Sequence, residues 1–354
     1  MVSMMEALVL TAPKEFEIKQ IPVPGIGPNE VLCRVKSVAI CGSDPGFISG
    51  KTAGVWPPHY PFTIGHEWSG VVETVGSNVT MWGKGDKVVG EAHNGCGICR
   101  NCKEGRYNLC LNYDNPKTEH RHYGHKDQGA FAEYGIFNQK CLTALPENVS
   151  FDIGAIVDAA GTALHVETLT DITPGGTVAI IGPGPIGLIA GKVARALGAS
   201  RIIVIGRGPR LAKAKELGIA TETVDFESQD AVKAIEDLTG GLGCDEVFEC
   251  SGATGTLDQA IHIVRRGGKI GLVGIPAPGN MESIPNRMVV IKEITIQGSR
   301  ANPNVTDKLL SMLAAGTVNF DDIVTHSFRL QDFRRALDTF LDRSTGALKV
   351  IVHP

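Results

Sequence analysis

The chain has 354 residues, with 34 Lys and Arg against 38 Asp and Glu for a net charge of −4, and 43% of its residues are hydrophobic. That length predicts two domains, each able to bury its own core, and the charge gives no general attraction to nucleic acid or to acidic membranes. Glycine, at 43 residues or about 12% against a usual ~7%, and nine cysteines need local explanations.

In chain order, residues 30–38 alternate loosely, with Val31, Cys33 and Val35 against Leu32, Arg34 and Lys36, and residues 69–75 are rich in β-branched side chains. Such short segments between Pro and Gly turn signals predict an all-β or barrel-like module. Near residue 175 the rhythm changes. A continuous apolar strand is predicted at 177–181, a helix at 187–197 ending at Gly198, a strand at 201–205, and a helix at 211–217 stopped by Gly218. A short strand at 222–224, a helix at 231–238, a strand at 246–249, a helix at 257–264 and strands at 269–273 and 294–297 continue the series. Fully apolar strands alternating with helices predict a parallel sheet covered on both faces. Two helices, 307–315 and 333–341, and a closing strand at 348–352 complete the chain. The longest uncharged stretch, 172–191, contains nine Gly and Pro residues, so it predicts a strand, a loop and a helix rather than a membrane span.

Cys96, Cys99, Cys102 and Cys110 form C-x2-C-x2-C-x7-C beside Gly95, Gly97 and Gly105. Four thiolates so spaced can close tetrahedrally on one zinc, the glycines allowing the tight turns. A closed set leaves no position for substrate, so its expected role is structural. The odd count and this crowding argue against a disulfide framework, and no signal-like leader opens the chain, so a reduced, cytoplasmic protein is expected. Cys41-Gly42-Ser43-Asp44 follows one apolar strand and Gly65-His66-Glu67 precedes another. Taken alone, His66 is more often a hydrogen-bonded core or loop histidine than a ligand. His120, His122 and His125 cluster within six residues and are expected in a substrate cleft or solvated loop rather than at a metal.

Gly182-Pro183-Gly184-Pro185-Ile186-Gly187 is GxGxxG, directly after a predicted strand and opening a predicted helix. That context supplies a tight turn, close backbone approach to a pyrophosphate, and a helix N-terminus for the phosphates. At the end of the next strand, Gly206-Arg207-Gly208-Pro209-Arg210 offers no carboxylate to repel a 2′-phosphate and two arginines to receive one. NADP(H) is expected over NAD(H); the alternative leaves Arg207 and Arg210 as solvated charges. Gly274, ending a later strand, is expected where backbone approaches the cofactor.

Together CGSD, GHE, the four-cysteine lobe and GPGPIG resemble the zinc-dependent medium-chain alcohol/polyol dehydrogenase family over essentially the whole chain. The resemblance implies an α/β protein. A GroES-like, β-rich catalytic domain (1–159 and 298–354) would carry two zinc sites, and a doubly wound, parallel-sheet Rossmann domain (160–297) would bind the dinucleotide. It implies Cys41 and His66 as catalytic zinc ligands, with Glu67 matching the glutamate ligand of the sorbitol-dehydrogenase-like branch and Asp158 the remaining Cys, Glu or Asp position. Ser43 matches the Ser/Thr that first takes the alcohol proton, Asp44 a carboxylate that orients His66, and Arg300 a position near nicotinamide and substrate. Where many relatives carry a relay histidine this chain has Gly46, and His59 is a weak substitute. Asp158 and the Gly206-Arg207 region look like the NADP-dependent secondary-alcohol dehydrogenases, whereas the full cysteine lobe looks like the polyol branch. The implied activity is interconversion of a secondary alcohol, polyol or sugar-like, with its ketone. Alternatives are a threonine-3-dehydrogenase-like activity or a catalytically silent dinucleotide-binding protein. A homotetramer or homodimer is expected, with a small-molecule substrate and neither nucleic acid nor membrane as partner.

Overall fold

The computed structural model describes residues 3–115, 117–277 and 279–354. The chain divides into two compact units, Met1–Ala159 with Asn302–Ala315 and Val324–Pro354, and Ala160–Ala301 with Gly316–Ile323.

The first unit is built on a seven-stranded sheet. Val324–Arg329, Lys349–His353, Glu30–Ala39, Glu67–Val75, Lys87–Gly90 and Leu142–Ala144 lie side by side in that order, and Tyr134–Asn138 also pairs with Glu30–Ala39. The alternation read in 30–38 is the pleat of this sheet: Val31, Cys33 and Val35 are buried, while Arg34 and Lys36 point to solvent. The core beneath includes Trp68 stacked on Phe137, with centroids 3.9 Å apart. Register is what matters for function. Ala39 pairs with both Glu67 and Ile351, and Ile40 N–H donates to Val350 O at 2.9 Å, so the residues after 39, before 67 and around 350 meet at one end of three strands.

The second unit holds six parallel strands in the order Glu222–Asp225, Arg201–Gly206, Thr177–Ile181, Cys244–Glu249, Val264–Leu272, Thr295–Gly298. Numbered along the chain this is 3-2-1-4-5-6, the doubly wound order whose switch point lies between the first and fourth strands. Fully apolar strand interiors such as Val178, Ala179 and Ile180 follow from burial on both faces.

The return to the first unit falls at 302 instead of the expected 298, and Gly316–Ile323 belongs with the second unit. Lys192 accounts for the latter, since its Nζ donates to Asn319 O and to the Asp322 carboxylate at 2.6 Å. Helices Val157–Thr170 and Asn286–Lys292, the hairpin Met4–Ala12/Glu15–Pro22 and strand Val324–Arg329 were not legible as elements. Val157–Thr170 is apolar on nearly every face because it is buried on nearly every face, which erases the one-sided pattern that marks a helix. No helix among the described residues is long and apolar enough to cross a membrane.

Candidate active site

The strand register brings Cys41, His66 and Glu67 together, with one ligand atom from each within 4.8 Å of the others. A zinc with bonds of about 2.0–2.3 Å spans that spread after small side-chain adjustments. Gly65 makes the approach possible. Its φ is +101°, and a Cβ there would lie 2.6 Å from the Phe131 ring. Burial, and then the charge of Lys349, lower the His66 pKa to about 3, so its imidazole is neutral and has a lone pair to give. Burial pushes the Cys41 thiol up, and a bound cation would favour its thiolate.

Asp158 stands beside this trio rather than within it. Its carboxyl accepts from the Ala92 backbone N–H, and burial followed by the charges of Glu67 and Glu91 pushes its pKa up to about 8. Asp44 does not orient His66. Its Oδ2 accepts instead from Cys41 N–H at 2.8 Å, because the short helix Asp44–Ile48 turns the carboxylate back onto the loop that precedes it. Burial raises the Asp44 pKa to about 7 against that bond. Ser43 precedes the same helix without capping it, and its Oγ is buried with no partner among the described residues. A buried hydroxyl in that condition beside a ligand trio fits a site made for a bound oxygen.

One member of the site escaped the sequence reading. Lys349, 3% exposed in the closing strand, donates from Nζ to Glu67 Oε1 at 2.7 Å and also contacts Oε2. The signal was a lone lysine inside the apolar run Leu348, Val350, Ile351, Val352.

The histidine cluster packs against His66 instead of forming a separate metal site. His125 lies 4.5 Å from the His66 ring and stacks on His122 at 3.8 Å, which stacks on His93 at 4.0 Å. Trp56 Nε1 donates to Tyr113 Oη at 3.0 Å, and that hydroxyl meets His122 Nδ1 at 2.6 Å. Trp56 and Phe47 close the cluster edge-on around His125. His59 is exposed and packs on Phe62.

The four cysteines converge as their spacing implies. Cys96 and Cys102 sulfurs are 3.9 Å apart and those of Cys99 and Cys110 4.0 Å. The edge of a zinc–sulfur tetrahedron with ~2.3 Å bonds is about 3.8 Å, so the set fits the ion. Backbone N–H groups of Cys99, Cys102 and Leu111 and the Asn112 amide point at the sulfurs from 3.3–3.5 Å. Burial raises the Cys96 thiol, but the N–H groups of Ile98 and Cys99 and the Asn112 amide outweigh it and bring the pKa down to about 6.

In the second unit, Thr177–Ile181 runs into Gly182 (φ +104°) and then helix Pro185–Ala196, which Gly184 caps with no side chain over its first turn. A Cβ on Gly187 would sit 2.1 Å from Gly182 O, which is why only glycine closes this turn. Gly274 packs tightly within the chain itself. A Cβ there would meet Gly252 N at 2.2 Å and Glu249 Oε2 at 2.5 Å, so the position is filled by the chain itself. Gly206 likewise faces the Pro183 ring, 2.3 Å from a Cβ. The corner after Gly206 is also not free of carboxylates. Glu227, twenty residues on, pairs with Arg207 at 2.5 Å, and Arg207 lies over the Phe226 ring. Arg210 stands in helix Gly208–Glu216, and Arg300 is exposed after strand Thr295–Gly298.

Residues 27–147 match the alcohol dehydrogenase GroES-like domain and residues 185–315 the zinc-binding dehydrogenase domain. Sorbitol dehydrogenase of Bacillus subtilis (strain 168) is 36% identical over 352 residues, covering 99% of this chain and 97% of that protein. An L-threonine 3-dehydrogenase of Bacillus velezensis is 34% identical over 95% of each chain. Among solved structures, a protein from Sinorhizobium meliloti 1021 assigned to the zinc-binding dehydrogenases and bound to NADP superposes with a TM-score of 0.90 at 31% identity, covering 99% of this chain and 100% of its own. The chain therefore belongs to the zinc-dependent medium-chain alcohol/polyol dehydrogenases, an α/β family of oxidoreductases that joins a GroES-like domain to a Rossmann domain.

Proposed function

We propose that this chain passes a hydride between NADP(H) and a secondary alcohol or its ketone, with a polyol or sugar-like substrate and two zinc ions per chain. The observation that carries the reading is the convergence of Cys41, His66 and Glu67 beside the buried Ser43 hydroxyl. Cys41, His66 and a carboxylate from Glu67 or Asp158 would hold a catalytic zinc, and Cys96, Cys99, Cys102 and Cys110 a structural one. Zinc at the first site supplies a Lewis acid that lowers the pKa of an alcohol.

The chain's own residues supply the rest. Ser43 Oγ would relay the substrate hydroxyl's proton, passing its own hydrogen on to ribose hydroxyls or water as it takes it, and neutral His66 and the Asp44-braced Cys41 loop keep the pocket's shape fixed. The rings of Phe47, Trp56, His122 and His125 keep water away from His66. Gly182, Gly184, Pro185, Ile186 and Gly187 cradle the pyrophosphate at the helix N-terminus. Arg207 and Arg210 receive the 2′-phosphate, which must draw Arg207 away from Glu227. The NADP bound to the Sinorhizobium protein supports this choice, and the Bacillus subtilis sorbitol dehydrogenase supports a polyol. The threonine dehydrogenase relative keeps L-threonine as a second substrate to test.

A homodimer or homotetramer is part of the proposal, supported by the exposed apolar side chains Ile275, Met281 and Val290 in the unit whose sheet ends at Thr295–Gly298. Nine free thiols support a reducing compartment such as the cytoplasm. The deciding experiment measures reduction of NADP+ and NAD+ over polyols, simple secondary alcohols and L-threonine. Turnover fastest with NADP+ and a polyol supports the reading. Turnover with L-threonine alone replaces the substrate, and no turnover with one zinc per chain indicates a silent binding protein.

A further inference from the structure

The arginine offered to a 2′-phosphate is already engaged by a carboxylate. Strands Arg201–Gly206 and Glu222–Asp225 lie side by side with Gly206 paired to Asp225, and Phe226 N–H donates to Gly206 O at 3.2 Å, so the loops leaving the two strands start next to each other. Asp225 then sets a tight turn in the second loop. Its Oδ1 accepts from Glu227 N–H at 3.0 Å and its main-chain O from the Ser228 hydroxyl at 3.0 Å. That turn holds the Glu227 backbone beside the first loop, where Glu227 Oε1 accepts from Arg207 Nη1 at 2.5 Å. The Arg207 guanidinium also lies over the Phe226 ring, 5.6 Å from its centroid. We infer that Glu227 is a positioning residue that sets cofactor choice: it holds Arg207 in a charge-neutral pair that a 2′-phosphate must break and that a plain ribose hydroxyl leaves intact, so the chain gives up part of its NADP(H) affinity and keeps NAD(H) usable.

The size of the effect follows from exposure. The Arg207 and Glu227 side chains are 56% and 55% exposed, so water screens the pair and it is weak beside a charge-assisted bond to phosphate. A phosphate therefore wins Arg207, with an affinity reduced by whatever the pair was worth. NAD(H), which carries no charge at that position, asks nothing of Arg207. An acidic residue that selects NAD(H) usually stands at the end of the second strand and bonds the ribose itself. Here the carboxylate comes from the loop after the third strand, twenty residues past the arginine, and acts through it. The inference rests on the dehydrogenase reading and its assignment of the 2′-phosphate to Arg207, and it adds the residue that tunes the ratio of the two cofactors.

The test titrates the full-length wild type, Glu227→Gln, Arg207→Ala and the double variant Arg207→Ala/Glu227→Gln with NADPH and with NADH. Nicotinamide fluorescence follows binding, so no turnover is needed. Glu227→Gln should bind NADPH about fivefold tighter, the upper end of what an exposed pair gives, and change NADH affinity by less than about twofold. Arg207→Ala should weaken NADPH binding about tenfold. In that background Glu227→Gln should move NADPH affinity by less than about twofold, because a carboxylate that acts through an arginine has no effect once the arginine is gone. An NADPH affinity that is unchanged or weaker in Glu227→Gln, an equal gain for NADH, or a gain that persists without Arg207 overturns the inference and leaves the dehydrogenase reading standing. An Arg207→Ala protein that binds NADPH as the wild type does overturns the phosphate assignment along with the inference, and a wild type that binds neither dinucleotide overturns the dehydrogenase reading as well.

Discussion

Glu167 offers a sharp physical test of the second unit. It lies in helix Val157–Thr170, is 1% exposed, and neither carboxyl oxygen has a partner among the described residues. Burial alone pushes the Glu167 pKa well above its usual 4.5. The folded chain therefore keeps Glu167 protonated at a pH where the unfolded chain has lost that proton. A raised folded pKa means its stability contribution is intact below pH ~4.5 and is lost as the pH rises, by about 1.4 kcal/mol per unit, until Glu167 ionises in the fold. Each such pH unit corresponds to about 3–6 °C in Tm for a compact unit of this size. Glu167→Met removes the titration and fills the same space. Its Tm should exceed that of the wild type at pH 7, and the gap should narrow as the pH falls toward 5. Differential scanning calorimetry from pH 5 to 8 measures it, and a wild-type-minus-variant difference that does not change with pH refutes the reasoning.

Three further outcomes are expected. Cys102→Ser should release one zinc per chain by elemental analysis and lower the Tm by several degrees while the Cys41 site stays loaded, since the four-sulfur set folds its own loop. Gly187→Ala should weaken NADPH binding, read by fluorescence titration, by at least about tenfold with little change in the first unit, because its Cβ would lie 2.1 Å from Gly182 O. Arg210→Ala should raise the KM for NADP+ about tenfold and leave that for NAD+ nearly unchanged, a loss of the kind a charge-assisted phosphate contact gives. Gly206 is unsuited to that question, since any side chain there strikes Pro183.

The alternation of apolar strands and helices was legible because a parallel sheet buries both faces and writes unbroken hydrophobic runs into the sequence. Strand 177–181 and its glycine loop needed no tertiary information. The cysteine lobe was legible for the same reason, its ligands being local in sequence. What stayed hidden depends on register. Lys349 reaches Glu67 across 282 residues, and only the pairing of three strands brings them together. Glu227 reaches Arg207 from the end of the next strand, so a carboxylate absent from 206–210 is present in space. Asp44 turned from His66 to the Cys41 amide because a short helix, unreadable in five residues, sets its direction. The contact of Gly274 with Gly252, likewise, joins two loops that the sequence does not show to be neighbours. In each case the residue type was informative and its partner was not.

The central claim is that Cys41 and His66 hold a catalytic metal distinct from the four-cysteine site. Zinc content and NADP+-dependent turnover measured together on wild type and Cys41→Ala test it most directly. The account predicts two zinc ions per chain falling to one, turnover lost, and NADPH binding retained within about twofold. A Cys41→Ala protein that keeps both its zinc and its rate contradicts it.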